Sequence, residues 1–415
     1  MSLPTGSTPS RQSSQRKRLA TRVTPDALRQ LRGGHPWIYD EAITSISGGG
    51  QSGDFAVVFD DKKRFAAIGL FDPRSPIRIK ILHAGKPAVI DADFWRATLL
   101  RALAIRRELA ATGHTTGYRV VNGENDAMPG FIIDRYADTL VLKIYTDAWF
   151  VHLPELLPII ADVLAPQRIV LRLARSVTAS LGPSSEWLDG QTLLGEPPTE
   201  PVLFLENDLT FEADVVNGQK TGHFLDQRDN RQLVGERSRG ARVLDVFAST
   251  GGFTVYAAAG GAKEVHSVDL SSPTLAVCKR NLEHNASRTS RTKHMSISGD
   301  AFGVLAGMGA QNEHYDIVVV DPPSFAQRQH DVFDAIAAYR RLAQLAVRVV
   351  RPGGMLVACS CSSRVTAEDF FDAVHDGAEM SGIALREDFT TGHGEDHPIT
   401  FRQGAYLKAM FATVG

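Results

Sequence analysis

"VLDVFASTGGFTVYAAAGGAKEVHSVDL", residues 243–270, reads as a strand, a tight turn, a helix and a second strand. Its first strand is apolar on both faces, as a strand buried between two layers must be. Gly251 and Gly252 let the turn bring its backbone close to a ligand at the start of the following helix. The same unit recurs downstream: "HMSISGD" leads into a helical stretch, "YDIVVVDPP" into "AIAAYRRLAQLAVRVV", and "GMLVACS" into "AEDFFDAVHDGA". Repeated βα units from about residue 204 predict an α/β, Rossmann-like domain with a mostly parallel sheet covered by helices.

In open α/β sheets, ligands sit beyond the carboxyl ends of the strands. Three aspartates mark those ends: Asp245 in the first strand, Asp269 closing the second and Asp300 closing the third. Asp269 can accept both hydroxyls of a ribose. The GxGxxG spacing of a dinucleotide site is absent, so a pyrophosphate has no obvious cradle. Asp245 would repel phosphate yet could hold an ammonium. Ribose plus a cationic amino-acid tail describes S-adenosylmethionine better than NAD. The plainer alternative is that any one of these aspartates merely caps a helix.

The fourth strand ends "VVVDPPSF", residues 318–325, where two prolines stiffen the exit after Asp321. The fifth ends "LVACSCSSRV", residues 356–365, with Cys359 and Cys361 two positions apart. Asp321 and the cysteine pair should be neighbours across the sheet. A thiol beside a carboxyl suits covalent catalysis at carbon 5 of a pyrimidine, in which a thiolate adds at carbon 6. A metal site is the weaker rival, because "CSC" lacks the second Cys or His cluster that zinc requires. An inert buried cysteine is the default for one of this pair, and for Cys278, which lies mid-helix.

Upstream, residues 20–91 read as a small β-rich unit, with "FAVVFDD", "FAAIGLFD" and "IRIKIL" as strands. Residues 92–203 open on one helical stretch, "DFWRATLLRALAIRRELAAT", and continue with "GFIIDRYADTLVLKIY", helical "LPELLPIIADVLA" and strand "RIVLRL". Residues 1–19 read as a disordered basic tail rich in Ser, Thr, Gln, Gly and Pro. Residues 1–40 hold seven Lys or Arg, Arg11 among them, against two Asp, although the chain's net charge is −2. A basic arm on a near-neutral body suits a polyanionic partner. Three cysteines cannot build a disulfide framework, which points to a reducing cytoplasm, and no run is long enough to span a membrane.

Several stretches carry a resemblance: "NGQKTGHFLDQRDNR" (217–231), "VLDVFASTGGF", "VVVDPPSF", "AYRRL", "PGGMLVACSCSS", "EDHPITFRQGAYLKAMF" and "YRVVNGENDAMPGFIIDRYAD" (118–138). In that order they resemble the bacterial class I S-adenosylmethionine-dependent RNA methyltransferases that make 5-methylcytidine in 23S ribosomal RNA. The resemblance implies a PUA-like barrel over 20–91, an α+β central domain over 92–203 and a methyltransferase domain over 204–415. It implies Cys361 as nucleophile and Asp321 as the group orienting the cytosine. Asp245, Phe247, Ser249, Gly251, Asp269, Asp300 and Asp321 would hold the cofactor, with Phe224, Asp226, Gln227 and Arg228 from "HFLDQR". Arg228 reads equally well as a structural ion-pair partner. RNA, as 23S rRNA or a large-subunit precursor, is the expected partner; a homodimer is left open. Rival readings are a guanine-N methyltransferase, a non-catalytic RNA-binding or assembly factor and, last, an NAD oxidoreductase.

Overall fold

The computed structural model describes residues 16–182, 185–326 and 328–415. Arg11 and most of the expected tail lie outside these. Contacts divide the chain into two units, one ending at Ala92 and including Thr146–Pro158, the other comprising Asp93–Tyr145 and Ile159–Gly415.

The first unit holds strands β1 (Arg18–Val23), β2 (Trp37–Tyr39), β3 (Ile43–Ile46), β4 (Phe55–Phe59), β5 (Phe65–Phe71) and β6 (Ile77–Ala84). They form one sheet in the order β2-β6-β5-β4-β1-β3. Alternation in β1 buries Leu19, Thr21 and Val23 and exposes the residues between. Ile38 from one end strand and Ile43 and Ile46 from the other pack on the same core as Leu19, Val58 and Ile79. A sheet whose two ends meet one core must be strongly curled, in keeping with the expected small barrel. β1 begins at Arg18, inside the stretch assigned to the tail. Thr146–Pro158, expected in the central section, joins this unit instead. The Thr146 hydroxyl donates to Asp72 at 2.7 Å, and the His152 ring lies 2.8 Å from the Gly53 carbonyl oxygen.

The second unit starts with a helical stretch that differs from expectation. The helix predicted over 93–112 is two helices, Ala92–Ile105 and Arg107–Ala111. Arg106 at the break is fully buried. Its guanidinium binds Asp126 at 2.7 and 2.8 Å and the carbonyl oxygens of Arg119 and Asp396. A buried guanidinium must be fully partnered, and that demand outweighs apolar periodicity. The central sheet contains β7 (Gly117–Asn122), β8 (Phe131–Tyr136), β9 (Thr139–Ile144), β10 (Arg168–Leu173) and β11 (Thr192–Leu194), in the order β11-β10-β9-β8-β7. "GFIIDRYADTLVLKIY" is thus a hairpin, with Ala137 left-handed at the turn (φ 50°). A second hairpin pairs β12 (Val202–Glu206) with β13 (Leu209–Ala213).

No contact boundary falls at residue 203, and the apolar core explains why. Phe204 and Phe211 of the hairpin share one cluster with Tyr136, Val141 and Val170 of the central sheet and with Val243, Val319 and Phe411 of the next.

That next sheet has seven strands: β14 (Arg242–Val246), β15 (Glu264–Asp269), β16 (Lys293–Ser298), β17 (Tyr315–Val320), β18 (Val350–Ser360), β19 (Leu385–Thr391) and β20 (Lys408–Val414). Their order is β16-β15-β14-β17-β18-β20-β19. The first five are parallel, and β20 runs antiparallel between β18 and β19. The order reverses between β14 and β17, which opens a crevice at their carboxyl ends. Val320 of β17 pairs with Ala358 of β18, so Asp321 and the cysteine pair are adjacent.

Candidate active site

A cavity of about 690 Å³ lies at that reversal. The turn after β14 shapes one wall. Phe247 and Ser249 are held left-handed there, at φ 66° and 48°. Each such non-glycine conformation costs of the order of 1–3 kcal/mol, and strain of this kind gathers at binding sites. The backbone N–H of Ser249 donates to Asp269 Oδ2 at 2.9 Å, and that of Ser271 to Oδ1 at 2.8 Å. The Thr274 hydroxyl has one proton, and the Ser271 carbonyl oxygen at 2.8 Å is a better acceptor for it than Asp269 at 3.3 Å. Asp269 therefore keeps a free lone pair on each oxygen, as binding two ribose hydroxyls requires. Asp300 also lines the cavity; it is exposed and caps the helix Ala301–Ala310 through the Gly303 N–H at 2.9 Å.

Three expected cofactor residues do not line the cavity. Asp245 is buried and caps the helix Gly252–Ala259, accepting from the Thr254 N–H at 3.0 Å and its hydroxyl at 2.7 Å. Burial pushes its carboxyl up to about 6 despite those two bonds. Gly251 serves the turn: its φ is 81°, and a Cβ there would lie 2.3 Å from Cys278 Sγ. Arg228 is a buried ion-pair residue, 3.1 Å from Asp396 and 3.0 Å from Asp229. In each case a packing or pairing requirement uses the residue that the sequence offered to the ligand.

The "HFLDQR" segment supplies a second wall. A short 3₁₀ turn, Leu225–Gln227, carries Asp226 and Gln227 into the lining beside Phe224. Asp226 Oδ2 accepts from Lys220 Nζ at 3.0 Å and from the Tyr406 hydroxyl at 2.9 Å. Burial opposes its ionisation, but Lys220, His397 and Arg119 outweigh that and hold the carboxyl well below the usual range. Its Oδ1 is buried without a hydrogen-bond partner. The cationic tail of S-adenosylmethionine carries the N–H donors such an oxygen lacks. Gln227 Nε2 donates to Asp321 Oδ1 at 3.0 Å.

Asp321 and Cys361 form a third wall. Burial, reinforced by Asp226 and opposed by Lys220, pushes the Asp321 carboxyl up to about 7. It can therefore donate or accept a proton near neutrality. β18 ends at Ser360, and the pair of cysteines divides there. Cys359 is buried in the apolar core, whereas Cys361, past the strand end, lines the cavity with its Sγ 4.0 Å from the Pro322 carbonyl oxygen. Burial raises the Cys361 thiol to about 11; Lys220 opposes this, while Asp321 adds to it. Among the described residues no cluster of His, Cys, Asp or Glu could hold a metal ion.

Sequence reasoning missed several lining groups. Lys220 lies in the quoted "NGQKTGHF" stretch, and its ammonium sits 4.4 Å over the Phe224 ring. Burial disfavours its charge, but Asp226 and Cys361 hold its pKa above the ordinary value. Arg231, His223 and Arg175 also line the cavity. Beneath Cys361, Ser360 and Ser362 bond the Tyr339 hydroxyl, each at 2.8 Å, and Ser324 lies 3.0 Å from Ser362. Thus "AYRRL", "PPSF" and "SCSS" meet at one point, although only their order is visible in the chain.

This fold, with its crevice and carboxylate-lined cavity, defines a methyltransferase of the S-adenosylmethionine-dependent class. A family model described as an S-adenosylmethionine-dependent methyltransferase matches residues 172–382, and one described as a PUA-like domain matches 22–84. A Streptococcus mutans structure assigned to the SAM-dependent methyltransferases superposes with TM-score 0.80 at 20% identity, covering 95% of this chain and 99% of that one. A methyltransferase crystal structure complexed with SAH superposes with TM-score 0.81 at 21% identity over 95% of this chain and 99% of that one. At such identity these speak to the fold alone. A "Ribosomal RNA large subunit methyltransferase" of Deinococcus radiodurans is 43% identical over 99% of each chain. A "Ribosomal RNA large subunit methyltransferase I" of Aeromonas salmonicida is 36% identical over 91% of this chain and 94% of its own. The chain belongs to this family of ribosomal RNA large subunit methyltransferases, and its cofactor is S-adenosylmethionine.

Proposed function

We propose that this protein methylates carbon 5 of a cytosine in 23S ribosomal RNA through a transient bond to Cys361. The observation that supports this reading is that Cys361 and Asp321 line one cavity with the Asp269 side of the cofactor site. Bound S-adenosylmethionine supplies an electrophilic methyl group. With the base flipped out of its stack, the Cys361 thiolate would bond to carbon 6, and the electron-rich carbon 5 would take the methyl as its bond to the sulfonium sulfur breaks and that sulfur keeps the pair as a thioether. Asp321, whose carboxyl is pushed up to about 7, donates in its protonated form a hydrogen bond to the base's N3 edge and stabilises the added charge. A base then takes the carbon-5 proton, the C–H electron pair forms the carbon 5–carbon 6 double bond, and the carbon 6–sulfur pair leaves with Cys361 as thiolate. Lys220 opposes the rise in the Cys361 pKa and so favours the thiolate as both nucleophile and leaving group.

Substitution of Cys361→Ala should abolish methyl transfer while leaving cofactor affinity within about twofold, since the cofactor contacts lie on other loops. Transfer of tritiated methyl groups to ribosomal RNA, beside calorimetric titration with S-adenosylmethionine, checks this. Turnover by the alanine variant would reject the covalent route and favour a nitrogen acceptor.

A further inference from the structure

Lys408 has no part in the chemistry described so far, yet its setting is unusual. It opens β20 and pairs in register with Ser360, the last residue of β18. It is 5% exposed, and among the described residues no carboxylate pairs with it. Its ammonium instead donates to two main-chain oxygens, those of Ser362 at 2.6 Å and Val365 at 2.7 Å. Both carbonyls belong to the turn between β18 and the helix Ala367–Glu379, outside either ladder. That turn carries Cys361.

We propose that Lys408 is a positioning residue for Cys361: its buried ammonium clamps the turn by two carbonyl oxygens and holds a positive charge on the turn that carries the thiol. The inference rests on the nucleophilic reading of Cys361. A buried ammonium with only neutral acceptors is costly, and burial lowers the Lys408 pKa to about 8, with Cys361 acting against that. The anion it lacks is the one that the reaction generates next to Ser362. The serine hydroxyls and Tyr339 fix the turn through side-chain hydrogen bonds and Lys408 through two main-chain oxygens, so the thiol is held without a direct bond to it.

The test uses the full chain with Lys408→Met, Lys408→Gln and Lys408→Arg. The readout is the rate at which iodoacetamide alkylates Cys361 at pH 7, where the Lys408 ammonium keeps its proton, located by peptide mass. Met and Gln should slow that alkylation at least fivefold and lower kcat for RNA methylation at least tenfold, with KM and S-adenosylmethionine affinity within twofold. Arg, which keeps the charge, should recover most of the alkylation rate. Wild-type alkylation in a Met or Gln variant that still binds the cofactor overturns the proposal. If Met fails to bind the cofactor, Gln decides; if both fail, the Arg variant does, since wild-type turnover there supports the clamp and a loss equal to theirs overturns it. Cys361→Ala, run in parallel, tests the nucleophile separately: turnover without the thiol would sink that reading while leaving the alkylation result to stand on its own.

Discussion

At the scale of single residues, position decides which cysteine reaches the cavity. Cys359 and Cys361 share one motif, but the strand ends between them, and one becomes packing while the other reaches the cavity. Spacing alone could not make that division, because it depends on where β18 stops. A thiol whose pKa is raised to about 11 is protonated at neutral pH. Ionising it there costs about 5 kcal/mol, at roughly 1.4 kcal/mol per pKa unit. The thiolate is then formed within the reaction rather than stored before it. Alkylation of Cys361 in the free enzyme should therefore climb about tenfold per pH unit through the neutral range, because rate follows thiolate fraction. A plateau below pH 8, seen by quenched alkylation and mass spectrometry, would contradict the account of burial given for this thiol.

Elements carry a different kind of information. The strand–turn–helix around Gly251 was legible in the sequence because glycine pairs and apolar runs are local signals. What the glycine is for was not. A ligand-approach reading and a packing reading both need a missing Cβ, and only the fold reveals that Cys278 fills the space. The Asp245 role divides in the same way, since an aspartate that caps a helix and one that meets a ligand look alike in a chain. Gly251→Ala should destabilise the protein by about 2–4 kcal/mol, combining a left-handed alanine with overpacking against the thiol. The turn bearing Phe247 and Ser249 should shift with it and weaken S-adenosylmethionine binding at least tenfold. Urea unfolding and calorimetry measure the two effects; a loss of less than 0.5 kcal/mol would show that the turn yields freely.

At the scale of the whole molecule, the sequence divided the chain where its periodicity changed, whereas burial joins what periodicity separates. The hairpin at residues 202–213 reads as a boundary, yet Phe204 and Phe211 sit in one core with strands from both sides. The late "EDHP" stretch behaves likewise. Asp396 is fully buried, accepts from the Arg119 N–H at 3.0 Å, pairs with Arg228 at 3.1 Å, and gives its carbonyl oxygen to Arg106 at 2.9 Å. Three arginines and one aspartate, drawn from positions 106 to 396, become one network that no window of sequence contains. Asp396→Asn should cost about 3–5 kcal/mol, because it leaves buried guanidinium charge under-compensated. Denaturant unfolding of that variant measures it, and a cost below 1 kcal/mol would make the network incidental.

The antiparallel insertion of β20 between β18 and β19 has a consequence in time. During synthesis, the ribosome delivers Cys361 well before Lys408, so the partly made chain has the cavity thiol but not the strand whose lysine bonds its turn. A protein of this family emerges beside abundant ribosomal RNA. The cavity turn that carries Cys361 stays unbraced until translation has passed the strand next to the sheet's edge.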